Sequence, residues 1–462
     1  MNLSIVLAVV VVLVGGVLGV VGLFRPFFGL LVFILIHFIQ PGELIPELAP
    51  LRIELVYGSL LIAIVVFRQL SRKGFSFLRY KIFFAACLLV TAGVLSVPFS
   101  VWPGGAAGTV VKMLQHVTLI FLLMSLINTK SRLRQMLWCI SVVAVWFACS
   151  SLFAFARGDY YALGDLDRAK GLNSIIGGPN ELAGLLLALL PMLIALLRTT
   201  RSIVLRIVLV VFGSISLFAI ILTGSRIALI GLIAIALFYT LQSRHKVLTL
   251  TASLLIGVLT WGLLPTEYKA RYLSVEHYAT GGQLDASNRL RLEIWKTGGK
   301  IFLEHPIFGA GAGQFSTAYG MRFLAQGEHR AWMNPHNLMI QVACELGIVG
   351  LAVFSYFIWQ IALGIRFVLR KKRRRTRDLN YQMAIACSVM YMGTMILSLV
   401  GHTLYRPYWY LLAGFVAANR NIVVNWLKSR KHEESEDDTG SEKRASVADG
   451  LTTFPGVVSA GS

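Results

Sequence analysis

The strongest chemical signal in the sequence is Asn334-Pro335-His336-Asn337, which runs directly into the apolar stretch LMIQVACELGIVGL. Asn334 suits a helix N-cap and Pro335 the first helical position, which would put His336 in the first turn. The positive end of a helix disfavours imidazolium. His336 therefore reads as a neutral histidine able to accept a proton, or, more plainly, as an imidazole hydrogen-bonded at a helix start. A second signal is a set of arginines: Arg168 in Arg168-Ala169-Lys170-Gly171, Arg226 in Thr223-Gly224-Ser225-Arg226, and Arg289 and Arg291 in Asn288-Arg289-Leu290-Arg291-Leu292-Glu293. A guanidinium is planar and permanently charged, and it matches phosphate oxygens in pairs. The competing role is snorkelling, or pairing with Asp165, Asp167, Glu276 or Glu293. Taken with a histidine, the set points to an anionic ligand.

Three weaker features follow. Lys112 and His116 stand one helical turn apart; ionisable groups at membrane depth are candidate functional groups, and Lys112 is read either as a further phosphate contact or as a snorkelling side chain. Gly309-Ala310-Gly311-Ala312-Gly313 could approach a phosphate closely, but it lacks the Lys-Ser/Thr of a P-loop and reads as a tight turn. Glu345, His37, Glu54 and His402 are lone polar residues near apolar runs and are read as structural. No HExxH, DxD or paired-carboxylate pattern suggests a metal site. Cys87, Cys139, Cys149, Cys344 and Cys387 all lie in apolar runs with no metal-binding spacing.

The elements that must position these residues are membrane helices. Hydrophobic residues make up 56% of the 462 residues and charged residues only 14%, against about a quarter charged in soluble chains. The apolar runs are of the length that spans a bilayer as helix. They predict spans at 4–23, 26–40, 54–68, 81–98, 109–127, 134–156, 180–197, 204–222, 225–242, 247–264, 336–365, 381–400 and 406–422. The second is short, so the count is twelve or thirteen. Residues 4–23 read as a retained span, with no basic leader or cleavage site. The run 336–365 is too long for one straight crossing, so its first turns are expected to project from the membrane.

The net charge of +21 invites a nucleic-acid partner. Its distribution argues against one. Arg68, Arg72, Lys73, Arg79 and Lys81 form one cluster; Lys130, Arg132 and Arg134 a second; Arg198, Arg201 and Arg206 a third; Arg244 and Lys246 a fourth; Arg370 to Arg375 with Arg377 the fifth. These occupy alternate connections, as the positive-inside rule requires of cytoplasmic loops. The same frame puts 98–108, 157–179 and 265–335 outside. The last, about 70 residues, is long enough to be functional.

The expected organisation is all-α and polytopic: N-terminal membrane helices over 1–264, a large periplasmic loop over 265–335, C-terminal membrane helices over 336–426, and a disordered cytoplasmic tail over 427–462, which is polar and Ser/Gly-rich. No internal repeat suggests the inverted halves of many transporters.

Three segments in this order, TGSRIALIGL at 223–232, RLEIWKTGGKIFLEHPIFGAGAGQF at 291–315 and NPHNLMIQVACELGIVGL at 334–351, with weaker support from RAKGLNSIIGGPNELAG at 168–184, resemble the bacterial O-antigen ligase and O-antigen polymerase superfamily of membrane glycosyltransferases. The resemblance covers roughly 165–400. It implies a metal-independent, inverting enzyme of the bacterial inner membrane, with no cofactor. The donor would be a glycan on undecaprenyl pyrophosphate at the periplasmic face, and the acceptor a hydroxyl of lipid A-core, another glycan or a protein. His336 matches the family's essential histidine, which would deprotonate the acceptor. Arg291 and Arg226 match arginines that would hold the leaving pyrophosphate, and Arg168 fits less closely; Arg289 and Lys112 are added as possible pyrophosphate contacts from the residue reading. The rivals are an exopolysaccharide polymerase or protein O-glycosyltransferase of the same superfamily, a solute transporter, and a non-catalytic scaffold.

Overall fold

The computed structural model describes residues 15–73, 80–163, 166–173, 176–243, 245–273, 286–325, 332–372 and 377–451. The architecture is all-α, as the apolar runs require. The helices are α1 (Gly15–Phe24), α2 (Pro26–Ile39), α3 (Pro41–Leu44), α4 (Ile53–Lys73), α5 (Lys81–Ser96), α6 (Pro103–Leu126), α7 (Lys130–Ala156), α8 (Pro179–Thr199), α9 (Ile203–Leu222), α10 (Arg226–Gln242), α11 (Lys246–Leu263), α12 (Thr266–Leu273), α13 (Ala286–Glu304), α14 (Phe315–Ala325), α15 (Leu338–Lys371), α16 (Leu379–Ser398) and α17 (Pro407–Leu451). A short hairpin pairs β1 (Tyr161–Leu163) with β2 (Leu166–Arg168). Among the described residues, eight helices are long and apolar enough to cross a membrane, and four shorter apolar helices accompany them. The chain is a multi-pass membrane protein.

Local chemistry explains where these helices begin. Proline opens α2, α6 and α8, where its missing N–H costs nothing and its fixed φ suits the first turn. Thr129 caps α7 by accepting from Arg132 N at 3.2 Å, and Asp378 caps α16 by accepting from Tyr381 N at 3.0 Å. Asp378 also takes Lys130 Nζ at 3.2 Å, so the starts of α7 and α16 meet at the end of the bundle that carries the basic clusters. Of those clusters, Arg79, Arg244 and the run 373–375 lie outside the described residues, as do Asp165 and Glu276.

Two expectations change. The long 265–335 connection is largely helical, holding α12, α13 and α14, with 274–285 and 326–331 outside the described residues. The tail expected to be disordered from 427 onward continues α17 as far as Leu451. Glu, Lys and Arg, which are good helix formers, recur between its Ser and Gly residues, and its first proline is Pro455.

The overlong 336–365 run resolves into one helix with a break. Gly347 has φ 65° and ψ −161° inside α15, a region open essentially to glycine alone. The break frees backbone groups on both sides, and the Gly-rich run 309–313 with its preceding residues pairs with them. Ala310 N donates to Cys344 O at 2.7 Å and Gly311 N to Glu345 O at 3.1 Å; Ile348 N donates back to Pro306 O at 2.9 Å and Val349 N to Ile307 O at 3.3 Å. The run also reaches the turn before α6: Val101 N donates to Ala310 O at 3.0 Å, and Ala312 N to Ser96 Oγ at 3.0 Å. The tight turn read from the sequence is thus a crossing strap that satisfies buried backbone in the interrupted helix.

A side chain at Gly347 would strain the backbone and fall on the Ile307 carbonyl. Gly347→Ala is expected to cost on the order of 1–3 kcal/mol, read as a lowered thermal midpoint in detergent; an unchanged midpoint would contradict the strap.

Candidate functional site

The site grows from the start of α15. The expected cap, Asn334, is not the one formed. Asn337 caps the helix: its Oδ1 accepts from Met339 N at 2.9 Å and Ile340 N at 3.1 Å, and its Nδ2 donates to Leu399 O at 3.1 Å. His336 consequently lies just before the helix instead of in its first turn, with a left-handed backbone at φ 46°. Such a conformation in a non-glycine residue costs on the order of 1–3 kcal/mol and persists where surroundings enforce it. Here Trp295 Nε1 on α13 donates to Pro335 O at 3.0 Å. Trp295 and Arg291 stand four residues apart on that helix, on one face, so the residue that pins the loop shares a helix face with Arg291.

The electrostatics follow. Burial holds the His336 imidazole below its usual pKa, and the Arg291 charge pushes the same way, with Glu181 opposing. Burial and the Arg291 charge both favour the neutral ring. Its neighbour is His402, read from the sequence as structural, whose ring meets it edge-on at 5.7 Å between centroids. Burial, then Arg406 and His336, bring His402 down to about 4. Its Nδ1 has no hydrogen-bond partner. Arg406 Nη2 in turn pairs with Glu181 Oε1 at 3.0 Å. His402, Arg406 and Glu181 come from the turn between α16 and α17 and from the start of α8. No sequence periodicity marks them, because they meet only when three connections converge.

The second group surrounds the turn 221–225 between α9 and α10. Four side chains take the carbonyls that the end of α9 leaves open. Arg168 Nε donates to Thr223 O at 2.6 Å, Tyr268 OH to Leu222 O at 3.2 Å, Tyr272 OH to Ile221 O at 2.9 Å, and Arg271 Nε to Gly224 O at 2.7 Å. Tyr268 also bonds Asp167 O. Gly224, at φ 58°, makes the reversal, and Arg226 follows as the first residue of α10. Arg168 is buried, and burial followed by the Arg271 charge lowers it to about 10, so it stays cationic at neutral pH. Its remaining described bond goes to Asn180 Oδ1 at 3.0 Å. Among the described residues its hydrogen-bond partners are one backbone carbonyl and one side-chain amide.

The start of α8 joins the two groups. Asn180 holds Arg168 beside the Arg226 turn, and the next residue, Glu181, holds Arg406 beside His402 and His336. Of the residues singled out in the sequence, Arg291 is near enough to His336 for its charge to act on the imidazole, and Arg168 and Arg226 flank one turn. Arg289 is exposed on α13, about 200° around the helix from Arg291. Lys112 is exposed on α6, one turn before His116. Glu345, buried, accepts from Gly313 N at 3.1 Å and Phe315 N at 3.4 Å; it anchors the strap to the break in α15. Among the described residues, no three His, Cys, Asp or Glu side chains come together to hold a metal ion.

A half-buried histidine whose neutral form is favoured by a nearby arginine, joined through adjacent residues to a second arginine group, suits chemistry on an anionic substrate with a proton to be removed. Residues 211–355, from α9 through the break in α15, match the family model described as O-antigen ligase. The chain is also similar to two proteins named as candidate polysaccharide ligases. One, from Rickettsia conorii, is 24% identical over 35% of this chain and 36% of its own length. The other, from Rickettsia prowazekii, is 25% identical over 38% of this chain and 41% of its own length. The chain thus spans about two fifths or less of the curated relatives it matches.

Two outcomes test this geometry. Removing the neighbouring cation should raise the His336 pKa, so Arg291→Gln is expected to shift its titration upward, followed by NMR of labelled imidazole; a downward shift would contradict this proximity. Arg168→Ala strips the Thr223 carbonyl of its buried donor, and is expected to destabilise the fold by about 1–3 kcal/mol; an unchanged thermal midpoint would show that the turn does not depend on it.

Proposed function

We propose that the chain transfers a glycan from a polyprenyl pyrophosphate carrier to a hydroxyl acceptor at the outer face of the cytoplasmic membrane. The observation that carries the reading is His336, its neutral form favoured by burial and by Arg291, at the end of the bundle away from the basic connections. By the positive-inside rule, that end is the periplasmic one. The match to an O-antigen ligase model supports the reaction class.

The acceptor hydroxyl needs a base, and His336 is in the form that takes its proton. As that O–H bond breaks, the oxygen attacks the anomeric carbon from the side opposite the pyrophosphate. The bond from that carbon to the pyrophosphate oxygen breaks with inversion, and the electron pair leaves on the phosphate. Arg291 and Arg226 face this developing charge; fixed cations of this kind can stabilise a leaving group without a metal. Arg168 acts mainly by holding the turn that presents Arg226. Arg289 and Lys112 stand apart from His336 and serve at most to draw an anionic donor toward the site. Lipid A-core, a second glycan and a protein hydroxyl all satisfy this chemistry as acceptors.

His336→Ala is expected to lower transfer at least about 100-fold while the protein still inserts, with lipid-linked donor accumulating; normal surface glycan would refute the base assignment. Arg226→Ala and Arg291→Ala should each lower transfer on the order of 100- to 1,000-fold, measured with lipid-linked donor in membranes. Unchanged rates would leave both arginines structural.

A further inference from the structure

The first segment of α15, from its cap to the break at Gly347, carries a polar stripe in an otherwise apolar run. Asn337, Gln341 and Glu345 follow one another at four-residue spacing. On a helix that spacing advances about 40° and about 6 Å per step, so the three share one face. Gln341 and Glu345 are each 3% exposed, and a buried polar side chain is costly unless it is bonded. All three are bonded, and each reaches the same place, the turn between α16 and α17. Asn337 Nδ2 donates to Leu399 O at 3.1 Å. Gln341 Oε1 accepts from Leu404 N at 3.2 Å. Glu345 accepts from the Tyr405 hydroxyl, which itself accepts from Gly313 N at 3.0 Å. Gln341 Nε2 donates to Glu345 Oε2 at 3.5 Å, which links the stripe along its own length.

The turn so held is the one that carries His402, and the bonds at Leu399, Leu404 and Tyr405 bracket that residue on both sides. Further bonds keep the turn's own shape. Thr403 Oγ1 bonds Ser398 Oγ at 2.6 Å and accepts from Trp409 Nε1 at 3.2 Å, and Tyr410 OH donates to Leu404 O at 3.1 Å. His336 immediately precedes the first residue of the stripe. One set of bonds therefore joins the segment that follows His336 to the turn that carries His402, and the two rings meet edge-on at 5.7 Å between centroids. Apolar contact is non-directional and tolerates sliding, whereas a hydrogen bond weakens steeply with misalignment. The break at Gly347 separates the tilt of this segment from the rest of α15. The segment takes its direction from what it docks on, the 306–313 strap and this turn.

We propose that Asn337, Gln341 and Glu345 are positioning residues, a stripe that docks the 399–406 turn on the start of α15 and so sets His402 against His336. A ring placed edge-on restrains the plane of its neighbour, and a general base works only when its nitrogen is aimed at the proton it takes. The docking stands on the hydrogen bonds; its bearing on catalysis rests on the glycan-transfer reading. The competing role is stability alone, which polar bonds between membrane helices also provide.

The test uses the full-length protein, labelled at histidine and held in lipid bilayers, with two variants. Tyr405→Phe removes the hydroxyl that reaches Glu345, and Gln341→Met removes the acceptor of Leu404 N with little change of volume. Solid-state NMR reads the through-space cross-peak between the His336 and His402 rings, assigned by its loss in His402→Phe. The cross-peak is expected to be lost in both variants, and transfer at saturating substrate to fall about tenfold with the KM for lipid-linked donor held. An intact cross-peak overturns the proposal, and so does a lost one with unchanged transfer. A lower thermal midpoint with cross-peak and transfer intact assigns the stripe to stability alone and overturns it as well. Should Gln341→Met fail to fold, Tyr405→Phe decides. If the unaltered protein transfers no glycan, the transfer reading fails, while the cross-peak still decides the docking.

Discussion

Two consecutive side chains at the start of α8 hold the candidate site together. Asn180 accepts from Arg168, and Glu181 accepts from Arg406. One bond steadies the turn that presents Arg226; the other steadies the residues packed on His336. The Glu181–Arg406 pair contributes little to stability by itself, since a partly exposed ion pair is worth about 0–1 kcal/mol. Their effect is geometric. Two connections far apart in sequence are held by adjacent residues of one rigid helix, which is how a membrane bundle can hold reacting groups at fixed separation.

The interrupted helix provides the second constraint. Breaking α15 at Gly347 would leave open backbone groups in an apolar bundle, where each costs several kcal/mol. The 306–313 strap satisfies them, and its residues leave directly for α14 and Glu345. The glycines that resembled a phosphate cradle in the sequence therefore act on the protein's own backbone. Charge recognition falls instead to arginines, and the described donors of Arg168 go to a backbone carbonyl and an amide. Neutral partners leave Arg168 cationic even though it is buried.

The membrane helices were legible because apolar length and basic clustering are local properties of the chain. His336 and Arg291 each lie in a distinctive short motif of the sequence, and the bond from Trp295 to Pro335 links the helix that carries Arg291 to the loop that carries His336. The cap was misplaced by three residues because Asn334 and Asn337 are the same residue type on either side of a proline, and only the Oδ1 geometry separates them. His402, Arg406 and Glu181 were missed as site residues because they share no motif or period. His37 and Glu54 were each read as lone polar residues, and their pairing becomes visible only when α2 and α4 pack. The helical content of 265–335 was masked by its polarity, which periodicity alone reads as loop.

The site's chemistry rests on one central claim, that a neutral histidine and fixed arginines together release a pyrophosphate carrier as a hydroxyl takes the glycan. The most direct measurement is the stoichiometry of a purified, vesicle-reconstituted protein given a lipid-pyrophosphate-linked glycan and a hydroxyl acceptor in excess chelator. The account predicts one polyprenyl pyrophosphate released for each glycan transferred, with a rate that falls as pH drops through a value below about 6.5, the ordinary imidazole pKa. Solute movement across the vesicle with no carrier released, or release that stops when the chelator is added, would contradict it.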